Sequence, residues 1–164
     1  MILLDPELEP KTAPRGRGTS TRALAHFLAQ AQAAVRLQGQ VTVLLATDAV
    51  LRDLNARFRG KNKPTDVLSF PSTNAAPGAE KIAGDLAISV ETAQRQADER
   101  NHPLATEIKV LILHGLLHLA GYDHEIDDGR MRRRERVLRA KLRLPQGLIE
   151  RAQQKPAKKR SGRR

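Results

Sequence analysis

The chain has 164 residues, of which 40% are hydrophobic and none is cysteine, so it can bury a core unaided and excludes disulfide frameworks, thiolate zinc sites and cysteine nucleophiles. Its net charge of +11 is uneven: residues 130–164 hold fifteen Lys/Arg against two Glu, a local +13, while residues 1–129 sum to −2. A near-neutral body with a cationic carboxyl end suits either a polyanionic partner or a solvated tail, and only three Phe and one Tyr argue against base-stacking platforms.

Residues 1–18 begin MILLDPELEPKTAPRG, which lacks a secretory signal pattern, and they read as a loose leader. Thr19 or Ser20 can cap a helix to about Leu37, with Leu24, Phe27, Leu28, Ala31 and Val35 on one stripe and Gln38-Gly39 closing it. Val41–Ala46 is a β-branched and aliphatic run that predicts a buried strand. Thr47 or Asp48 then caps a helix over Val50–Phe58. Arg59–Pro64 reads as a basic loop, Asp66–Phe70 as a strand stopped by Pro71, and Ile82–Val90 as the next strand. The loop between these strands carries Pro77-Gly78, suited to a type II turn, so the two are placed to pair.

A helix over Glu91–Arg100 precedes the punctuation Asn101-His102-Pro103. The next helix, about Pro103–Ala120, is apolar nearly all round in its second half and should be the central buried one. Its oiliest run, Val110–Ala120, is too short for a bilayer, so a soluble, cytosolic protein is expected. Asp127 can cap a last helix to about Leu142, with Met131, Leu138 and Leu142 inward. Mixed helices and short strands predict an α+β fold, a small mixed sheet packed against helices. Residues 19–145 form the expected single domain, and residues 146–164 read as a basic, compositionally disordered tail.

The chemistry concentrates in His114–His124, HGLLHLAGYDH. His114 and His118 are one helical turn apart on one face, and Gly121 permits the reversal that returns His124 to the same point. Three imidazoles leave a fourth tetrahedral position open, the pattern of a catalytic zinc, although imidazole also suits nickel, copper and iron. The competing reading is three ordinary histidines, some buried and hydrogen-bonded. The spacing H-x-x-x-H-x-x-G-x-x-H is shared with metzincin proteases, but their general-base glutamate is replaced here by Gly115, which argues against peptide hydrolysis.

HGLLHLAGYDH resembles the signature of the YbeY family of bacterial zinc-dependent endoribonucleases. Arg59-Gly-Lys-Asn-Lys-Pro-Thr-Asp-Val-Leu-Ser-Phe-Pro71 and Gly84-Asp-Leu-Ala-Ile-Ser89 resemble further family stretches, in the right order. The resemblance implies a zincin-like arrangement with a central metal-binding helix. It implies one zinc ion on His114, His118 and His124, and a functional role for Arg59. The implied activity is single-strand-specific RNA cleavage in maturation of the 16S ribosomal RNA 3′ end and in ribosome quality control, with ribosomal RNA or the small subunit as partner. Neither DNA nor a membrane is expected to bind.

Several residues keep two readings. Arg59 has the guanidinium fork that holds two phosphate oxygens, or it is a surface arginine on a carbonyl. Asp123 could orient a ligand imidazole or satisfy its own turn; Asp85 is similarly ambiguous. Lys61 and Lys63 are phosphate contacts or solvated loop charges. The last helix pairs Arg130 with Arg134, Arg132 with Arg136 and Arg139 with Arg143, like charges four apart with Glu135 as the sole acid, which a phosphate backbone would relieve. The alternative function is a non-catalytic, RNA-binding ribosome assembly factor whose zinc only braces the fold.

Overall fold

The alternation Val41-Thr-Val43-Leu-Leu45 turns three apolar side chains to one face of a strand, and each of them is buried. The computed structural model describes residues 1–8, 20–73 and 77–146. Its elements are β1 (Ile2–Leu4), α1 (Thr21–Val35), β2 (Gln40–Ala46), α2 (Asp48–Arg59), β3 (Val67–Pro71) and β4 (Ile82–Ser89). They are followed by α3 (Val90–Glu99), α4 (Leu104–Leu119) and α5 (Arg130–Lys141). The sheet order is β1-β2-β4-β3, with β2 parallel to both β1 and β4 and with β3 antiparallel to β4. The expected small mixed sheet among helices is therefore observed.

The two sheet faces are covered unequally. Val43, Leu45, Leu86 and Ile88 face the main core, where α4 supplies Ile108, Ile112, Leu113, Leu116 and Leu117, all fully buried or nearly so. Each such side chain stabilises by about 1.5–3 kcal/mol relative to exposure. The opposite face, Ala46, Leu68 and Ala87, packs under Leu51 of α2 with Leu54 and Phe70 at its margin. Thus α2 and α4 lie on opposite faces, and β3 is the edge strand between them.

Three boundaries differ from the sequence reading. Part of the expected loose leader is ordered as β1, with Ile2 opposite Val43 and the Met1 amino group donating to the Val41 carbonyl at 2.6 Å. Helix α1 ends at Val35, before Gln38-Gly39, because Arg36 adopts a left-handed conformation (φ 64°) and its N–H caps the last turn. Arg59 is the last residue of α2, and the basic loop begins at Gly60. Residues 9–19 and 147–164, which hold most of the expected leader and tail, lie outside the described residues. Among the described residues no helix is long and apolar enough to cross a membrane.

Asp48 clamps the start of α2. Its Oδ1 accepts from the hydroxyls of Ser89 (2.5 Å) and Thr92 (2.6 Å), and its Oδ2 accepts from Arg95 (2.8 Å). Burial alone would raise this carboxyl, but the Ser89 and Thr92 hydroxyls and the Arg95 guanidinium outweigh it and hold the group below its ordinary value. A depressed folded-state pKa means the unfolded chain binds more protons in acid. The stabilisation is therefore complete above about pH 4 and is lost as pH falls through the folded value. Asp48→Asn is expected to reduce stability at pH 7 by about 1 kcal/mol. It should also flatten the acid limb of a stability-versus-pH curve below about pH 4, as measured by urea unfolding. An unchanged acid limb would refute the clamp.

Candidate metal centre

Helix α4 presents His114 and His118 on one face, and its end is set by the backbone. Gly121 takes a left-handed conformation (φ 94°), and the N–H groups of Gly121 and Tyr122 bond back to the carbonyls of His118 and Leu117. This reversal carries His124 back towards the helix. The ring centroids are 4.9 Å apart for His114 and His118, 5.6 Å for His114 and His124, and 5.2 Å for His118 and His124. One ligand nitrogen from each ring lies within 4.8 Å of the others.

Two features fit a metal ion. The Nε2 atoms of His114 and His118 are 3.2 Å apart, close to the roughly 3.3 Å edge of a tetrahedron with metal–nitrogen bonds of about 2.0–2.1 Å. His118 is held below its ordinary pKa by burial, then by the charges of His114 and His124, which favours the neutral form that ligation requires. His114 and His118 are half-buried while His124 is exposed, so the cluster faces solvent on one side.

Glu135 of α5 supports this arrangement from behind. Its Oε2 lies 3.5 Å from His114 Nδ1, and its Oε1 accepts from Arg139 at 2.9 Å. Burial alone would raise this carboxyl; the bond to His114 and the charge of Arg139 hold it below its ordinary value. A carboxylate at Nδ1 keeps the proton there and leaves Nε2 free towards an ion. The sequence reading noticed Glu135 only as a lone acid among arginines. That isolation was the available signal.

Gly115 contributes space. A Cβ there would come within 2.7 Å of Leu86 Cδ2, so the position packs against β4 and any side chain there would have to displace the buried Leu86. Ser69 of β3 donates to the Gly115 carbonyl at 3.3 Å, tying the edge strand to α4 beside His114.

Among the described residues Arg59 makes no bond to the histidines. Phe58 packs edge-on against Phe70 of β3, with ring centroids 5.1 Å apart, which holds the end of α2 against the edge strand on the other face of the sheet. Arg59 is exposed, and its side chain forms no hydrogen bond or ion pair among the described residues. Lys61 and Lys63 are also exposed, on a loop fixed by buried Asn55, whose side-chain amide donates to the Lys63 carbonyl at 2.8 Å. Asp123 accepts from the Glu125 N–H at 3.0 Å, the turn role of its two readings. Asp85 is exposed on β4.

The sequence model of the family described as Endoribonuclease YbeY matches residues 13–143. The chain belongs to the YbeY endoribonuclease family. It is 50% identical over 147 residues to Endoribonuclease YbeY of Koribacter versatilis (strain Ellin345), covering 90% of this chain and 93% of that one. It is 48% identical over 149 residues to Endoribonuclease YbeY of Solibacter usitatus (strain Ellin6076), covering 90% and 97%. The solution structure of TM1509 from Thermotoga maritima shares the fold, with a TM-score of 0.53 and 24% identity over 99% of this chain and 100% of that one. The YbeY match spans α1 to α5, so the histidine cluster, Arg59 and Glu135 all fall inside the family region.

Proposed function

We propose that this YbeY-family chain cleaves single-stranded RNA with one zinc ion held by His114, His118 and His124, and that Arg59 contacts the RNA phosphate. The observation that carries the reading is the convergence of three imidazoles with one side open to solvent, in a member of an endoribonuclease family. An ion held there would supply Lewis acidity to the phosphoryl oxygens and to water. Glu135 would orient the His114 ring, and the Arg59 guanidinium would grip two oxygens of a neighbouring phosphate on the same strand and so hold the scissile bond in place. An RNA strand crossing the edge at β3 could meet both groups. The expected setting is the cytoplasm, with maturation of the 16S ribosomal RNA 3′ end and ribosome quality control as roles and the small subunit as partner.

The rival, a zinc-braced assembly factor, has less support. The main core closes around α4 without the histidines, which sit at its surface, so the fold has no evident need of a brace.

Arg59→Ala separates the two readings. Its loss is expected to slow cleavage of single-stranded RNA by about 10²-fold through lost positioning of the strand. Bound metal and melting temperature should stay unchanged, because the side chain is exposed and unbonded. Wild-type cleavage by this variant would remove Arg59 from the mechanism. Intact RNA after incubation with the zinc-loaded wild type would favour the assembly factor.

A further inference from the structure

We propose that the groove between the ends of α1 and α4 and the start of β4 is a phosphate-binding subsite for single-stranded RNA, with Arg36 and Lys81 as its cationic contacts. The identity of the polyanion rests on the endoribonuclease reading; the groove itself stands on its own geometry. It has a volume of about 550 Å³, within the range of about 300–1,000 Å³ usual for ligand sites, and no acidic side chain lines it.

Its position is next to the histidines. Leu119, which lines it, directly follows His118, and Tyr122 stands two residues before His124. Opposite them, Arg36 comes from the end of α1, and Lys81 and Ile82 from the entry to β4. Ile82 is 52% exposed, a large apolar side chain with no core to cover it and suited to a ribose or base edge. The side chains of Arg36 and Lys81 form no hydrogen bond or ion pair among the described residues, and neighbouring Glu80 is engaged by Gln40 Nε2 at 2.6 Å. Arg134 of α5 donates to the Ala34 carbonyl at 3.2 Å, which ties α5 to the end of α1.

The walls are built in advance. Gln32 Nε2 donates to the carbonyls of Gly39 (2.8 Å) and Leu37 (3.4 Å), and the Gln40 N–H donates to the Lys81 carbonyl at 2.7 Å. A Cβ on Gly39 would lie 2.9 Å from the Ala83 nitrogen and the Lys81 oxygen, so the two walls touch through their backbones. A groove fixed in this way loses little entropy on binding a strand.

Arg36 also occupies a left-handed position (φ 64°) that glycine fills most readily. A cation at a helix end gains from the helix dipole, which offers a purely structural explanation. Arg36→Gly separates the two, because its backbone cap survives and its conformation is eased.

The test measures binding of a short single-stranded 2′-O-methyl oligoribonucleotide to the zinc-loaded protein by fluorescence anisotropy across a salt series, with a gel confirming that the oligonucleotide stays intact. The double variant Arg36→Gly/Lys81→Ala should keep or raise the melting temperature. Its affinity at low salt should fall about 10-fold, and the slope of log K against log salt should flatten by about 1.4, the value for two lost contacts to a single strand. The charge-matched pair Arg22→Ala/Arg52→Ala, at the far end of α1 and on α2, should weaken binding much less. Equal losses in the two double variants, or wild-type affinity and slope in the first, would overturn the subsite. A wild-type protein that cleaves RNA while the groove variant binds unchanged refutes only the subsite. A wild-type protein that neither binds nor cleaves RNA sinks the endoribonuclease reading and the subsite together.

Discussion

His118→Ala is expected to leave a folded protein that neither retains zinc through gel filtration nor cleaves RNA. The three rings form a near-equilateral triangle, with centroids 4.9, 5.2 and 5.6 Å apart, so no two of them can replace the third. Without His118 the remaining nitrogens come from two rings with centroids 5.6 Å apart, and two imidazoles alone do not complete a catalytic zinc site. Cleavage should fall by at least about 10²-fold, since metal and positioned water are lost together. The side chain is only half-buried and makes no contribution to the main core, so the melting temperature should match that of the metal-free wild type. Glu135→Ala should give a graded effect, weakening metal affinity by about 10–100-fold while leaving all three ligands in place. A His118→Ala protein that carries one equivalent of zinc, or cuts at the wild-type rate, would dissociate the cluster from the activity.

Glu107→Ala is expected to produce a large loss of stability although it removes no apolar core side chain. Glu107 is fully buried in the first turn of α4, where its two oxygens engage Arg100 and His102 and so fasten the end of α3 to the start of α4. Removing one partner of a buried charge pair costs about 3–5 kcal/mol, because the other charge is stranded. Arg100 is partly exposed and can turn to water, which places the effect near about 3 kcal/mol and the drop in melting temperature near roughly 10 °C. The histidine cluster occupies the opposite half of α4, so zinc stoichiometry should be preserved at temperatures where the variant is folded. A shift smaller than about 2 °C would show that the carboxylate is dispensable.

Much of this was written in local patterns. The α4 helix and its cluster were legible because a four-residue spacing and a glycine encode geometry directly, without distant partners. The same holds for β2 and for the β3–β4 hairpin, whose register runs from Val67 opposite Ile88 to Pro71 opposite Gly84. What was missed depends on contacts far along the chain. Strand β1 is three residues long with two of them exposed, and only its pairing with β2 defines it. Arg36 carries no glycine-like signal for a left-handed turn. Glu135 finds His114 twenty-one positions away, and Glu107 looked like an ordinary first-turn acid until its burial was visible. The placement of α2, which ends at Arg59, on the sheet face opposite α4 also required tertiary structure, since no local pattern says which face a helix covers.

That separation by a single border strand has a geometric consequence. If Arg59 and the histidines act on one substrate, the polymer must curl tightly around the rim of the sheet. A duplex is wide and stiff, with a persistence length of about 50 nm for DNA, whereas an unpaired chain bends at every nucleotide. Preference for unpaired substrate would then arise from bending mechanics, with no base recognised, and a stem-loop RNA should be nicked in its loop and spared in its stem.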